Sequence, residues 1–229
     1  GDFEKEKIAE IFNSLIEKRR VDNKIQQSPL HTLIVRKNKR VNSFNIQTET
    51  INISLGFSTV PKGHEDEHTL DLMSTIFGGG MGSRLRRSVM EPGYTYSIET
   101  HTEYLSDTGY FLINFTTEKK NLEKVLKAVY ENFDRLKNEP VKKLDLDHAK
   151  GFFSGQLKIN TETTYDLSMF YSSQVFSNSD EIISLGRKIA KINRVDTKAI
   201  LRAARKYFQP KNFYLTAVGN TEKLKITLY

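Results

Sequence analysis

The sequence predicts an α+β fold in which helices cover one face of a mostly antiparallel sheet. Residues 51–58 alternate between apolar and polar side chains, which is typical of a strand with one buried face. Residues 94–104 and 109–116 are two strand-like runs joined by a short polar turn, as in a β-hairpin. Several amphipathic helical patterns then follow one another without strict alternation with strands, which argues against a parallel sheet.

Composition limits the classes of protein to which the chain can belong. It has 229 residues, enough for one large domain or two small ones, with 38% hydrophobic and 28% charged residues. No apolar run approaches the roughly 20 residues that a membrane-spanning helix needs. The lack of cysteine excludes disulfides, thiol catalysis and cysteine-bound zinc. We expect a soluble protein of the cell interior or an organelle rather than a secreted one.

The charge balance is basic, with 35 basic and 28 acidic residues and a net charge of +7. Such a surface can attract nucleic acid, an anionic membrane or an acidic peptide. The basic residues are dispersed along the chain, so we expect no nucleic-acid partner and no membrane partner. The interpretation as a nucleic-acid-binding protein rests on charge alone. It predicts that binding to DNA or RNA depends steeply on salt concentration.

The first helix is predicted over residues 4–19, because five apolar side chains recur at helical spacing. Residues 1–5 also resemble residues 219–223, which follow a predicted strand at 213–218. This similarity suggests that the chain begins just after a strand of a longer protein. Residues 21–31 are polar and contain a proline, which predicts a linker.

The remaining elements follow from periodicity and from capping residues. Asp180 and Asp196 are suitable N-caps for the last two helices, and Pro140 suits the first turn of a helix. The total is about five strands and seven or eight helices. Strands are predicted at 32–39, 51–58, 94–104, 109–116 and 213–218, and further helices at 70–77, 83–90, 121–137, 140–159, 165–176, 181–192 and 197–208.

The most specific pattern lies in residues 70–117. An apolar helix leads into GGGM at 78–81 and SRL at 83–85, and Tyr96 opens a hairpin whose turn is DTG at 107–109. In order and spacing this stretch resembles the non-catalytic, C-terminal half of the M16 family of zinc peptidases. That family includes insulinase, pitrilysin and the mitochondrial processing peptidase.

The resemblance implies a division of the chain and a set of partners. Residues 1–20 would be the terminal helix of the preceding half, residues 21–31 a linker, and residues 32–229 the C-terminal domain. The implied partners are a catalytic N-terminal half or partner subunit and an unfolded peptide, and a dimer is compatible with this organisation. The implied cofactor is zinc in the missing half and none in this chain, which alone is expected to be inactive. The alternative is a non-catalytic structural or interaction subunit of the same fold.

The resemblance also implies substrate-binding residues. We assign this role to Tyr96, Gly79, Gly80 and Arg87, because the family's C-terminal half contributes an arginine and a tyrosine to substrate. Met90 occupies the place of that arginine, so the family pattern is incomplete here. The competing interpretations are a strand aromatic for Tyr96 and a helix C-cap with a tight turn for the glycines.

Residues 64–68 read HEDEH and match HxxEH, the zinc motif of the group of peptidases that includes this family. In that motif the two histidines share one helix face and bind zinc, while the glutamate acts on the bound water. We interpret His64, Glu67 and His68 as a chance match and predict that the chain has no metal ligands.

Two features of the surrounding sequence support this interpretation. Glu65 and Asp66 are acidic where the family's buried helix is apolar, and they follow a Pro-Lys-Gly turn, so they suit a solvated helix start. Alignment on the glycines places the family's motif nearer residues 72–76, which contain no ligand side chains. Adventitious binding of Zn²⁺ or Ni²⁺ is the most that we expect.

In the SRL motif, Arg84 is expected to pair within the fold, and Leu85 to lie in the core.

Overall fold

The structure is a computed structural model that describes residues 2–17, 40–176, 181–222 and 226. The chain forms two compact units, residues 1–35 and residues 36–229. In the first unit, α1 (Lys5–Glu17) forms where the apolar stripe predicted a helix. The predicted linker at 21–31 and the predicted strand at 32–39 lie outside the described residues.

The second unit contains one sheet of five strands among the described residues. Its order is β1-β5-β2-β4-β3, and every neighbouring pair is antiparallel except β1 and β5. This confirms the prediction of a mostly antiparallel sheet. The strands are β1 (Val41–Asn45), β2 (Thr50–Ser58), β3 (Ser97–Tyr104), β4 (Gly109–Glu118) and β5 (Tyr214–Gly219).

Helices surround the apolar face of this sheet. They are α2 (Glu67–Gly78), α3 (Leu122–Asn138), α4 (Lys143–Ile159), α5 (Thr164–Phe176), α6 (Leu185–Arg194) and α7 (Thr197–Tyr207). A π-helical turn at Arg86–Met90 lies between α2 and β3. None of the described helices combines the length and the apolar character that crossing a membrane requires.

The two faces of the sheet differ as the period-two pattern of β2 predicts. Ile53 and Leu55 are buried, because their side chains point toward the helices. On the opposite face, the Ser54 hydroxyl donates to Asn114 Oδ1 at 2.7 Å, and the Thr116 hydroxyl donates to Asn52 Oδ1 at 2.7 Å. One apolar face and one polar, hydrogen-bonded face confirm that the helices cover a single side.

Aromatic rings connect the sheet to the helices. Phe77 of α2 stacks on Phe133 of α3 with ring centroids 4.8 Å apart, and Phe133 lies 4.3 Å from Phe208. Phe57 of β2 stacks on Phe111 of β4 at 5.2 Å. Because Phe77 lies at the C-terminal end of α2, this cluster holds that end of the helix against the core.

Some boundaries differ from the prediction. The helix expected from residue 181 begins at Leu185, since the hydroxyl of Ser184 accepts the N–H of Arg187 and caps it; the expected cap Asp180 lies outside the described residues. The helix expected from Pro140 begins at Lys143. Strand β1 is not among the predicted strands, because four of its five side chains are exposed and no apolar alternation marks it. The expected cap Asp196 is confirmed, with the Ala199 N–H 2.7 Å from its Oδ1.

Candidate functional site

The match to the zinc motif lies at the N-terminal end of α2. The helix begins at Glu67, and His64 belongs to the turn before it, where its Nδ1 accepts the N–H of Asp66 at 3.0 Å. The Gly63 N–H donates to Glu67 Oε2 at 2.8 Å. Because His64 lies outside the helix, it does not share a helix face with His68. The arrangement that the zinc motif requires is therefore not formed by these residues.

A different group of possible ligands lies one turn further on. Glu67, His68 and Asp71 have ligand atoms within 4.8 Å of one another, the only such group found in the described parts of the chain. The hydroxyls of Thr102 and Tyr104 approach Asp71 Oδ1 at 3.0 and 2.9 Å. Partners within the fold therefore already hold the aspartate.

Cations of the protein also lie near this group. Lys188 Nζ is 4.0 Å from Glu67 Oε1, so a lysine already balances one carboxylate. The Nδ1 atom of His68 is buried and has no hydrogen-bond partner among the described residues. A catalytic zinc needs three protein ligands that are free to bind it. Here, among the described residues, only the nitrogen of His68 lacks a partner, because both carboxylates already contact other groups of the protein, so the residues do not fit such a site.

Burial controls the protonation of this end of the helix. It raises the pKa of Asp71 to about 6, although Lys188 and the Tyr104 hydroxyl act in the opposite direction. Burial lowers the pKa of His68, and this outweighs the attraction of Glu67 for the charged ring. The group is thus a buried polar contact between α2, β3 and α6.

Asp66 fastens the same end of α2 to α7. Its Oδ2 accepts Lys206 Nζ at 2.7 Å and the Tyr207 hydroxyl at 2.6 Å. Burial acts to raise the pKa of Asp66, but these two hydrogen bonds outweigh it and lower the pKa. The acidic residues that precede the helix therefore have structural partners.

The C-terminal end of α2 carries the glycine segment, residues 78–82. A Cβ atom on Gly78 would lie 2.6 Å from Thr100 Cγ2, and one on Gly79 would lie 2.7 Å from the Cα of Thr75. The Gly79 N–H also donates to the Thr75 carbonyl at 3.2 Å and ends the helix. Packing therefore requires these two glycines, which agrees with the C-cap interpretation for Gly79.

The next two glycines are different. A Cβ atom on Gly80 would meet only the ring of Phe152, at an ordinary contact distance of 3.4 Å, and one on Gly82 would meet nothing within 4 Å. The backbone at neither position adopts a positive φ. The fold therefore does not explain the absence of side chains at these positions.

Gly80 and Gly82 line an open groove of 530 Å³, here called the glycine groove. One wall is the glycine segment and the other is the N-terminal half of α4. Three large apolar side chains at this groove are exposed: Met81 is 74%, Leu144 is 64% and Phe152 is 43% accessible to solvent. Exposed apolar groups around a concave surface are typical of a binding site.

A second concavity of 350 Å³, here called the arginine pocket, adjoins the glycine groove. Arg84 and Arg87 line both, and Arg135 of α3 joins them in the arginine pocket. None of the three forms an ion pair within 4.0 Å or a hydrogen bond through its side chain to another described residue. Arg84 therefore makes no direct ion pair with a described residue at this distance, although Asp145 and Glu139 act on it electrostatically. Leu85 is fully buried as expected.

The structure brings together only two of the four predicted substrate-binding residues. Gly80 and Arg87 line the glycine groove, and Gly79 does not. Tyr96 is 60% exposed at the start of the hairpin, and its hydroxyl donates to Glu118 Oε1 at 3.0 Å. That hydrogen bond is the first cause of the raised pKa of Tyr96.

The prediction from sequence missed most of the groove wall. Met81, Gly82, Leu144 and Phe152 were not among the predicted site residues. Leu144 and Phe152 both lie in the helix predicted at 140–159, and periodicity does not distinguish a core residue from one that lines a groove. Arg135 lies more than forty residues from Arg87 in sequence, and only the contact between α3 and the π-helical turn reveals their proximity.

Comparisons with known proteins agree on one family. The family model described as the peptidase M16 inactive domain matches residues 1–152. An uncharacterised zinc protease of Bacillus subtilis is 26% identical over 169 residues, which are 71% of this chain and 40% of that protein. The matched residues thus span less than half the length of this curated relative.

Two solved structures share the fold. A protease from Helicobacter pylori superimposes with a TM-score of 0.85 at 18% identity, covering 95% of this chain and 53% of that one. A peptidase M16 inactive domain from Pseudomonas fluorescens gives a TM-score of 0.71 at 20% identity, covering 81% of this chain and 45% of that one. At these identities the similarity shows the fold alone.

Proposed function

Because the chain belongs to the M16 peptidase family through its inactive domain, we propose that it completes the peptide-binding chamber of a zinc metallopeptidase. The catalytic half of that enzyme would lie outside these 229 residues. In this role the chain binds an unfolded peptide and orients it for the catalytic half. Residues 1–20 would then belong to the preceding half, residues 21–31 would form the linker, and residues 32–229 the C-terminal domain.

The observation that carries the proposal is the glycine groove. Gly80 and Gly82 leave the backbone open to close approach, which an extended peptide needs in order to lie against it. Met81, Leu144 and Phe152 supply apolar surface for a side chain of that peptide. The surface is concave and open to solvent, which suits an extended segment that lies along it.

Polar groups at the groove would fix the direction of the peptide. Arg87 is exposed at the rim and has hydrogen-bond donors to offer to peptide carbonyl groups. Tyr96 would contribute only after its hydroxyl leaves Glu118, so its proposed role depends on a rearrangement. Zinc in the catalytic half would supply the activated water for peptide hydrolysis. This chain contributes binding and orientation.

The test is to fill the groove. Gly82→Trp places an indole in the glycine groove without a clash at Cβ. The control, Gly186→Trp, adds an indole to the exposed surface of α6, away from the groove and also without a clash at Cβ. The probe is reduced, carboxymethylated α-lactalbumin labelled with fluorescein, and binding is followed by fluorescence anisotropy. We expect the chain and Gly186→Trp to bind this unfolded probe, and Gly82→Trp to bind at least about tenfold more weakly.

Binding that is equal in all three proteins would contradict the proposed site, and no binding to the wild-type chain would contradict the proposed function. Thermal unfolding of each variant, measured in parallel, separates loss of the groove from loss of the fold.

One observation favours a second candidate function. Met90 replaces the arginine that active members of the family place in this segment, and it is packed against the core rather than projecting into the groove. A non-catalytic structural subunit of the same fold would tolerate this change. Addition of the separately produced catalytic half distinguishes the two candidates, since only the first predicts cleavage of the unfolded probe.

A further inference from the structure

Among the residues that the structure describes, no acidic side chain contacts the guanidinium groups of the arginine pocket beside the glycine groove. Arg84 and Arg87 are three residues apart in one helical segment, so they project from the same side of it. Leu85 and Val89 anchor the other side of that segment in the core. The two arginines are thereby directed away from the core and toward the boundary between the pocket and the groove.

A hydrogen bond between neighbouring elements brings in the third arginine. Asn132 of α3 is buried, and its Nδ2 donates to Ser88 Oγ at 3.2 Å and to the Ala128 carbonyl at 2.8 Å. This contact holds the segment of Arg87 against α3, where Arg135 follows Asn132 by one turn. The floor of the arginine pocket is therefore neutral and already hydrogen-bonded, and the three arginines supply its positive charge.

Acidic residues near the pocket do not neutralise it. Glu139 lines the arginine pocket and Asp145 lines the glycine groove, and neither lies within 4.0 Å of the three guanidinium groups. With three arginines and one glutamate, the pocket keeps a net positive charge. Burial lowers the pKa of Arg84, the attraction of Asp145 and Glu139 opposes the change, and Arg135 and Arg87 make smaller contributions that lower it. An incoming anion would give a direct charge partner to a guanidinium group that burial has partly removed from water.

Resting on the function proposed above, we propose that the arginine pocket binds a carboxylate of the same peptide that lies in the glycine groove. The substrate class is then an unfolded peptide with an Asp or Glu side chain close to a large apolar side chain. Arg84 and Arg87 line both concavities, so the two side chains of the peptide would lie on either side of this pair. Guanidinium groups bind carboxylates with paired, charge-assisted hydrogen bonds, which makes this recognition specific.

The experiment uses the 229-residue chain and three fluorescein-labelled decapeptides. The first contains Phe-Glu in a Gly-Ser background and is amidated at its C-terminus. The second has Gln in place of Glu, and the third is the Gln peptide with a free C-terminal carboxylate. Dissociation constants are measured by anisotropy at about 50 and about 300 mM salt, since exposed charges are screened at the higher concentration.

We expect the Glu peptide to bind about tenfold more tightly than the amidated Gln peptide at low salt. Arg87→Gln and Arg135→Gln should each reduce this preference to about twofold or less, because each variant removes one guanidinium group from the arginine pocket. Arg202→Gln, which removes an exposed charge from α7, should leave the preference unchanged.

Equal binding of the Glu and amidated Gln peptides would overturn the inference and leave the proposed function intact. A free-carboxylate Gln peptide that binds as tightly as the Glu peptide would assign the pocket to a peptide terminus and overturn the side-chain assignment. Absence of binding by all three peptides would overturn the proposed function as well.

Discussion

The two candidate sites of this chain lie at the two ends of α2. They differ in whether their charged side chains have hydrogen-bond partners within the fold. At the N-terminal end, Asp66, Glu67 and Asp71 all have hydrogen-bond partners on other elements or on the preceding turn. At the C-terminal end, the side chains of Arg84 and Arg87 have none among the described residues. The carboxylates at the N-terminal end are therefore explained by contacts within the fold, whereas the guanidinium groups at the C-terminal end keep donors that a ligand can use.

The largest expected effect concerns the buried carboxylate at the N-terminal end. Burial raises the pKa of Asp71 from 3.8 to about 6, so the folded chain binds more protons than the unfolded chain between these values. Stability therefore falls as pH rises from about 4 to about 6, and above that range the cost is about 3 kcal/mol.

Asp71→Asn removes this ionisation and keeps an oxygen to accept from Thr102 and Tyr104. We expect the free energy of unfolding of the variant, relative to wild type, to rise by up to about 3 kcal/mol between pH 4 and pH 7. Urea unfolding at both pH values measures it, with the exposed Asp147→Asn as the control. A difference that is the same at both pH values would show that Asp71 does not titrate in this way.

The next effect compares two glycines of the same segment. Gly79→Ala forces a methyl group against the Thr75 backbone, so we expect a loss of about 2 kcal/mol in the free energy of unfolding. Gly82→Ala has open space and should change stability by less than about 0.5 kcal/mol. Denaturant unfolding of the two variants tests this, and equal losses would remove the distinction between the two halves of the segment.

A smaller effect is expected from the apolar wall of the glycine groove. Leu144 and Ile159 are both on α4 and are 64% and 62% exposed, but only Leu144 lines the groove. Leu144→Ser should weaken binding of the unfolded probe by about tenfold or less, because part of one leucine side chain is lost from the contact. Ile159→Ser is the matched control, and similar losses in both variants would place the binding surface elsewhere on α4.

The smallest effect is expected for zinc at the N-terminal end. After dialysis, elemental analysis should find less than one zinc per chain, and His68→Ala should not change that amount. The physical reason is that Lys188 and the Gly63 N–H already occupy the carboxylate of Glu67. Stoichiometric zinc that is lost in His68→Ala would show that His68 is a metal ligand.

Much of the fold was predictable because periodicity reports burial. The alternation in β2 and the apolar stripes of α3 and α7 each have one face in the core, so their patterns are strong. The resemblance built on the glycine segment is confirmed by the family model. Edge strand β1 was missed, because an exposed strand that pairs on one side has no apolar alternation to detect.

The candidate site was less predictable, because it depends on which groups remain unsatisfied after folding. Gly79 and Gly80 are neighbouring residues of the same type, so the sequence does not distinguish them. Only the structure shows that a side chain at Gly79 would clash with the Thr75 backbone, whereas one at Gly80 would not. The same holds for His64, whose place before the first turn of α2 separates it from the motif that its spacing suggests. Contacts of this kind are set by tertiary structure and leave no mark on a local pattern.

Hydrogen–deuterium exchange with mass spectrometry can follow both ends of α2 in one experiment. The chain is labelled with and without a saturating amount of reduced, carboxymethylated α-lactalbumin, and exchange is compared in peptides covering residues 64–71, 78–90 and 143–152. We predict slower exchange at 78–90 and 143–152 when the unfolded polypeptide is present, and no change at 64–71. Slower exchange confined to residues 64–71, or no change in any of the three segments, would contradict the assignment of peptide binding to the glycine groove.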